Sequence, residues 1–225
     1  MINLETPPGF RGLHPDVPVT VYHRHLPHWR QDGATYFVTF RLDDALPQCK
    51  RDELRALRRD WDAHHHPPRS TQDWESYARQ VTVKAERWLD AGHGACHFGE
   101  WRFAEVLREA ILFFHEQRYL VSCFTIMPNH CHLVIRPFPN HELEKILQVC
   151  KGYAASRVNR MLGEKGTLWQ EESYDRIVRD DEHLHKVVQY IGRNPSSAGI
   201  PRERWVRWVH PSWQQAGWGF ADERG

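Results

Sequence analysis

At 225 residues the chain can bury one substantial core carrying insertions, and no second domain is required. Its 40% hydrophobic and 26% charged residues, with no apolar run near bilayer length, are those of an ordinary globular protein and set aside membrane insertion. A net charge of +1 excludes the class whose overall field announces nucleic-acid binding, so any such role has to rest on local clusters.

In chain order, residues 1–10 carry Glu5, Pro7 and Pro8 where a leader would be basic and then apolar, so a cytoplasmic location is expected. Residues 1–34 are rich in proline and histidine. They lead through Arg24-His25-Leu26-Pro27-His28-Trp29-Arg30 to a turn at Asp32-Gly33 and read as an irregular arm. Residues 34–42 are dense in β-branched and aromatic side chains and predict a central strand. Leu54, Leu57 and Trp61 then predict a helix over 52–63, stopped by His64-His65-His66-Pro67-Pro68, and a second helix is expected over 73–90. Adjacent histidines ahead of two prolines diverge, so the triple histidine reads as an exposed loop, and 43–99 as a helical insertion. The five cysteines, Cys49, Cys96, Cys123, Cys131 and Cys150, show no Cys-x-x-Cys spacing, and most of them read as small core residues.

Residues 102–117 place Phe103, Val106, Leu107, Ala110 and Phe114 on one helical face, and 119–126 alternate as a strand. Met127-Pro128-Asn129 is a tight turn, so the strand 129–136 should pair antiparallel with its predecessor. A helix over 142–162 carries a stripe of Leu143, Ile146, Leu147, Cys150, Ala154, Val158 and Met161. Its other side is basic, with Lys145, Lys151, Arg157, Arg160 and Lys165 against Glu164, which by charge alone is a solvated face. Residues 173–179 give a short strand, and Asp180-Asp181 cap a last helix reaching about Gly192, ahead of Asn194-Pro195. Strand, helix, strand, strand, helix, strand and one more helix is the α+β, ferredoxin-like (RRM-like) plan, an antiparallel sheet with helices packed on it. Trp29, Trp169, Trp205, Trp208, Trp213 and Trp218 gather toward the two ends, as packing anchors or as stacking platforms for unpaired bases.

The chemistry concentrates on the strand Asn129-His130-Cys131-His132-Leu133-Val134-Ile135-Arg136. Alternation puts His130, His132, Val134 and Arg136 on one face and Cys131, Leu133 and Ile135 on the other. Two adjacent imidazoles over a buried opposite face make a two-histidine metal platform, or a hydrogen-bonded pair in a half-buried sheet, and the spacing leaves both readings open. On the last helix Leu184, Val187, Val188 and Ile191 converge on the buried side. Tyr190 and Asn194 stack four apart on its flank, with His183 two turns earlier on the same side. By spacing alone Tyr190 is a half-buried packing residue.

The stretch Met127-Pro128-Asn129-His130-Cys131-His132-Leu133-Val134-Ile135-Arg136-Pro137 resembles the His-hydrophobic-His strand of IS200-like single-tyrosine transposases. Gly166-Thr167-Leu168-Trp169-Gln170, Tyr174-Asp175-Arg176 and Tyr190-Ile191-Gly192-Arg193-Asn194-Pro195 are similar to later blocks of the REP-associated branch. So are Leu26-Pro27-His28-Trp29 and Phe37-Val38-Thr39-Phe40-Arg41-Leu42, so that the resemblance runs from about 24 to 200. Cys131 departs from a usually bulkier apolar residue at the middle position.

The resemblance implies that His130, His132 and the amide oxygen of Asn194 hold Mg²⁺ or Mn²⁺. It implies that Tyr190 is the nucleophile, leaving a 5′-phosphotyrosine link and a free 3′-hydroxyl. His183, by helical phase, is a candidate for handling the phenol proton. The implied partner is single-stranded DNA folded into hairpins of the repetitive extragenic palindrome (REP) kind. Contacts are expected from Arg24, His28 and Trp29 in the arm, from Lys145, Lys151 and Arg157 on the basic helix, and from Arg193. The expected organisation is an arm over 1–34, a single-tyrosine transposase domain over 35–200 with the insertion at about 43–99, and a tryptophan-rich tail over 201–225, acting as a monomer or homodimer. Two other readings are a metal-dependent phosphodiesterase using water, with Tyr190 structural, and a domesticated DNA-binding protein without chemistry.

Overall fold

In the computed structural model, which describes residues 4–24 and 26–223, regular structure begins earlier than expected. β1 (Thr20–His23) and β2 (Pro27–Arg30) form an antiparallel hairpin inside the stretch read as irregular. No alternation marks this hairpin in the sequence, because distant ions hold it: Arg30 bridges Glu144 and Asp175, and His28 sits between Glu172 and Asp175. The parts of the expected arm and tail formed by 1–3, 25 and 224–225 lie outside the described residues.

β3 (Tyr36–Arg41) is the expected strand, and the insertion is α1 (Gln48–His64) and α2 (Thr71–Leu89). α2 opens on a capping box in which Ser70 Oγ accepts from the Asp73 N–H while the Asp73 carboxylate accepts from the Ser70 N–H. Trp61, Tyr77 and Val81 form a small core between the two helices, with the Arg58 and Arg69 guanidinium groups lying on its rings. In the histidine run, His64 and His66 are exposed and His65 stacks on Trp61.

Then follow α3 (Trp101–Leu112), β4 (Tyr119–Ile126), β5 (His130–Pro137), α4 (Leu143–Leu162), β6 (Tyr174–Ile177), α5 (Asp181–Ser197), β7 (Val206–Val209) and α6 (Pro211–Gln215). The strands pair antiparallel in the order β6-β3-β5-β4-β7. The first four are the ferredoxin-like arrangement, and β7, a strand within the expected tail, is added at the edge beside β4.

Both faces of the sheet are covered. On one, Tyr36, Val38, Phe40, Cys131, Leu133 and Ile135 meet α3 and α4. On the other, Phe37 and Val134 meet Val187, Val188 and Ile191 of α5 and Trp213, Trp218 and Phe220 of the tail. A bulge between Val121 and Cys123 reverses the phase of β4, turning Phe124 toward the first face and Thr125 toward α5. Trp213 and Trp218 are fully buried, and their indoles donate to the Pro8 and Glu5 carbonyls. They fasten the two ends of the chain together, which decides for packing over base stacking at these positions. Met161, expected on the buried stripe of α4, is 40% exposed, and the last turn packs Leu162 in its place.

α5 does not stop near Gly192. It runs through Pro195 to Ser197, although Pro195 has no N–H to give the Ile191 carbonyl. Thr125 Oγ1 of β4 donates to that carbonyl at 3.1 Å and makes up what the helix lacks, while Arg207 of β7 donates to the Gly192 carbonyl at 2.8 Å and ties the same turn to the sheet. Tyr190 and Asn194 therefore stay in one helical phase, above the histidine face of β5.

Candidate active site

His130 and His132 are buried, at 1% and 0% exposure, and their Nε2 atoms lie 3.0 Å apart. Each ring is held from behind. His130 Nδ1 lies 2.8 Å from Asn129 Oδ1, while the Asn129 amide donates to the Leu89 and His93 carbonyls at 3.2 and 3.0 Å. With the amide so committed, Oδ1 accepts, His130 Nδ1 carries its proton, and His130 Nε2 presents a lone pair. His132 Nδ1 lies 2.8 Å from Thr39 Oγ1, a hydroxyl able to donate or accept. With Thr39 donating, His132 Nε2–H closes onto His130; with Thr39 accepting, both Nε2 lone pairs face one point. Burial holds both imidazoles neutral, His132 at about 3 and His130 well below its ordinary value with added repulsion from His132.

This donor set fits a divalent cation. Ligands at 2.0–2.1 Å around an octahedral ion stand about 3.0 Å from their neighbours, which is the separation of the two ring nitrogens. Asn194 is 3% exposed, its carboxamide acts on both imidazoles and on the Tyr190 phenol, and its Oδ1 is buried without a hydrogen-bond partner. Two neutral imidazoles and one amide oxygen suit Mn²⁺, and suit Mg²⁺ with further oxygens from water or phosphate.

The Tyr190 ring packs edge-on against His132, with centroids 5.3 Å apart, and against Phe37 at 6.1 Å. Its Oη is buried and unpartnered. Burial, and then the negative charge of Glu86, push the phenol far above its ordinary range, so it stays protonated in this state. Glu86 belongs to a wall that the sequence reading missed. Thr82, Glu86 and Asp90 recur every four residues on one face of α2 and its cap. They lie against Tyr174 and Tyr190, and burial pushes the Glu86 carboxyl up to about 7. The i, i+4, i+8 polar repeat was the available signal, but without knowing where the helix docks it reads as a solvated face. From β3 and β6, Arg41 stands opposite His130 and Arg176 opposite Phe37, each with a buried, unpartnered Nε.

The remaining expected site residues do not converge. Arg24 is exposed at the β1–β2 turn, Lys145 is exposed at the α3–α4 rim beside Phe114 and Arg118, and exposed Arg157 lies over the Tyr153 ring. Arg193 is exposed on α5 and donates to the Gln189 carbonyl. Lys151 Nζ is engaged by the Gln170 and Glu171 carbonyls at 2.7 and 3.2 Å, and Trp29 packs against the larger core. His28 is corrected as a DNA contact: it is 4% exposed and both ring nitrogens are taken by Asp175 and Glu172. His183 is corrected as a proton carrier for Tyr190, because its Nδ1 accepts from the Arg179 N–H in the first turn of α5, about 10 Å along the axis from Tyr190.

A second histidine group, His115, Glu116 and His210, brings three possible ligand atoms within 4.8 Å of one another. Its tautomers argue against an ion. His115 Nδ1 accepts from the Val121 N–H and His210 Nδ1 from the Ser212 N–H, so each Nε2 carries a proton, and that of His210 points to Glu116 at 3.1 Å.

Residues 100–194 match the family described as Transposase IS200 like. No curated protein matches the chain. Among solved structures the chain is similar to a REP-associated tyrosine transposase bound to a REP hairpin, at 16% identity over 80% of this chain and 75% of that one, with a TM-score of 0.45. It is also similar to a protein of Deinococcus radiodurans R1 described as a candidate transposase, at 14% identity over 71% of this chain and 89% of that one, with a TM-score of 0.29. The matched segment runs from α3 to Asn194, so His130, His132, Tyr190 and Asn194 all fall inside it. No helix among the described residues is long and apolar enough to cross a membrane.

Proposed function

Starting from residues 100–194 as an IS200-like transposase segment, we propose that the chain nicks and rejoins single-stranded hairpin DNA of the REP kind through a covalent bond to Tyr190. The observation that carries this reading is the convergence of two neutral Nε2 atoms 3.0 Å apart with the Tyr190 ring 5.3 Å from one of them. A decayed or purely structural site has no need of an unpartnered phenol beside an unpartnered amide oxygen, both buried.

His130, His132 and Asn194 would hold Mg²⁺ or Mn²⁺. Such an ion supplies Lewis-acid polarisation of the scissile phosphate. Tyr190 Oη attacks phosphorus and the 3′-oxygen leaves, giving a 5′-phosphotyrosine and a free 3′-hydroxyl. The phenol proton has to leave as the new bond forms. Glu86, held at about 7, is the carboxylate beside it able to accept that proton and return it to the departing 3′-oxygen. Phe37 and His132 pack the ring edge-on and limit its swing. Because the phosphodiester energy is kept in the tyrosyl ester, the 3′-hydroxyl of a strand can reverse the step without ATP. A cytoplasmic setting suits this chemistry.

Incubating the protein with end-labelled hairpin DNA and Mn²⁺ or Mg²⁺ should yield a labelled adduct on a denaturing gel. The adduct should vanish in Tyr190→Phe and fall by about a thousandfold or more in His130→Ala. Cleavage without adduct that survives Tyr190→Phe would point to a water-using phosphodiesterase, and binding without cleavage to a DNA-binding protein.

A further inference from the structure

Arg41 ends β3 on the face that carries the histidines, directly across the ladder from His130. Cross-strand neighbours on one face start about 5 Å apart, so its stem rises beside the imidazole whose Nε2 faces the cation position. The guanidinium Nε is buried without a hydrogen-bond partner. Its charge is felt at His130 on one side and at Lys151 on the other, and both effects are repulsive. The carboxylate that favours it, Glu172, is already engaged by His28 and by the Leu26 N–H. A desolvated guanidinium with so little compensation is costly unless an anion completes it.

The other arginines with a buried, unpartnered Nε are differently placed. Arg176 lies over the Phe37 ring and faces Glu86; Arg136 lies over Phe138 at the far end of β5; Arg51 donates to the Asp43 carbonyl. Arg41 alone of these stands opposite a histidine of the site.

We propose that Arg41 grips a nonbridging oxygen of the scissile phosphate, acting as a second positive charge on the side of His130 away from Tyr190. This rests on the function proposed above. A planar guanidinium can present two N–H groups to one phosphate, fixing its rotation about phosphorus as well as its charge. The in-line path from Tyr190 Oη then depends on Arg41 as much as on the histidine pair.

The test uses the full chain carrying Tyr190→Phe, with Mn²⁺, and measures hairpin affinity by fluorescence anisotropy. Two DNAs are compared, one with natural phosphates and one with a single uncharged methylphosphonate at the position mapped by the wild-type adduct. Adding Arg41→Gln should weaken the natural DNA by about tenfold or more and change the methylphosphonate DNA by less than about twofold. Arg41→Lys, which keeps the charge and loses the fork, should lie between and serves if the glutamine variant does not fold by circular dichroism. Equal weakening of both DNAs, or of neither, overturns the assignment. If the Tyr190-intact chain forms no adduct, the function and this assignment fall together. An adduct whose rate ignores Arg41→Gln removes this assignment alone.

Discussion

Two hydrogen bonds from behind hold the imidazole nitrogens of His130 and His132 on one point, and they differ in kind. Asn129 fixes the His130 tautomer, whereas Thr39 can reverse its role toward His132. Thr39→Val keeps the shape at that position but can neither donate to nor accept from His132 Nδ1. The expected result is a loss of about tenfold or more in Mn²⁺ affinity by isothermal titration calorimetry, with the melting temperature within a few degrees of wild type. Unchanged affinity would mean that packing alone orients the ring. The His-x-His alternation and the four-residue step from Tyr190 to Asn194 were legible in the sequence because each lies within one element. Thr39 and Asn129 were not, since one acts from a neighbouring strand and the other ties His130 to the end of α2.

At the scale of elements, α5 shows how a helix that local rules would end is kept going by its neighbours. Asn194-Pro195 reads as a stop, but the Ile191 carbonyl that Pro195 leaves short is met by Thr125, and Arg207 adds a donor to the next carbonyl, that of Gly192. Thr125 is buried, at 0% exposure, so Thr125→Val would leave the Ile191 carbonyl without a donor. The expected cost is about 1–3 kcal/mol, read as a lower urea midpoint with an unchanged slope. An unchanged midpoint would show that the helix needs no help from β4. α2 makes the complementary point. The helix expected over 73–90 forms as Thr71–Leu89, yet its Thr82, Glu86, Asp90 face lines the site instead of facing water.

For the whole molecule, the N-terminal hairpin is fastened by a buried charge network running from Arg30 and His28 to Asp175, Glu172 and Glu144. Burial opposes a charge on His28, but the hydrogen bonds it donates to Asp175 and then to Glu172 outweigh it and hold the ring at about 9, above its ordinary 6.5. The folded value lies above the unfolded one, so this stabilisation is complete below about pH 6.5 and is lost as pH rises through about 9. The stability difference between wild type and His28→Gln in urea unfolding should therefore shrink by roughly 2–3 kcal/mol between pH 6.5 and 9.5. His28→Gln should start lower and follow a flatter profile. A wild-type profile as flat as the variant's would remove His28 from the account.

By itself the sequence determined the order of strands and helices from β3 to α5, the face shared by His130 and His132, and the pitch that stacks Tyr190 on Asn194, because each is a repeat of 2 or 3.6 residues set by backbone geometry. Tertiary structure alone decided that Arg41 stands beside His130, that α2 closes the site with Glu86, that His28 is an internal ion and not a DNA contact, and that Trp213 and Trp218 are core. Periodicity reports which way a side chain points from its own element. What it meets depends on strand pairing and helix docking between residues far apart in the chain, and no local pattern encodes that.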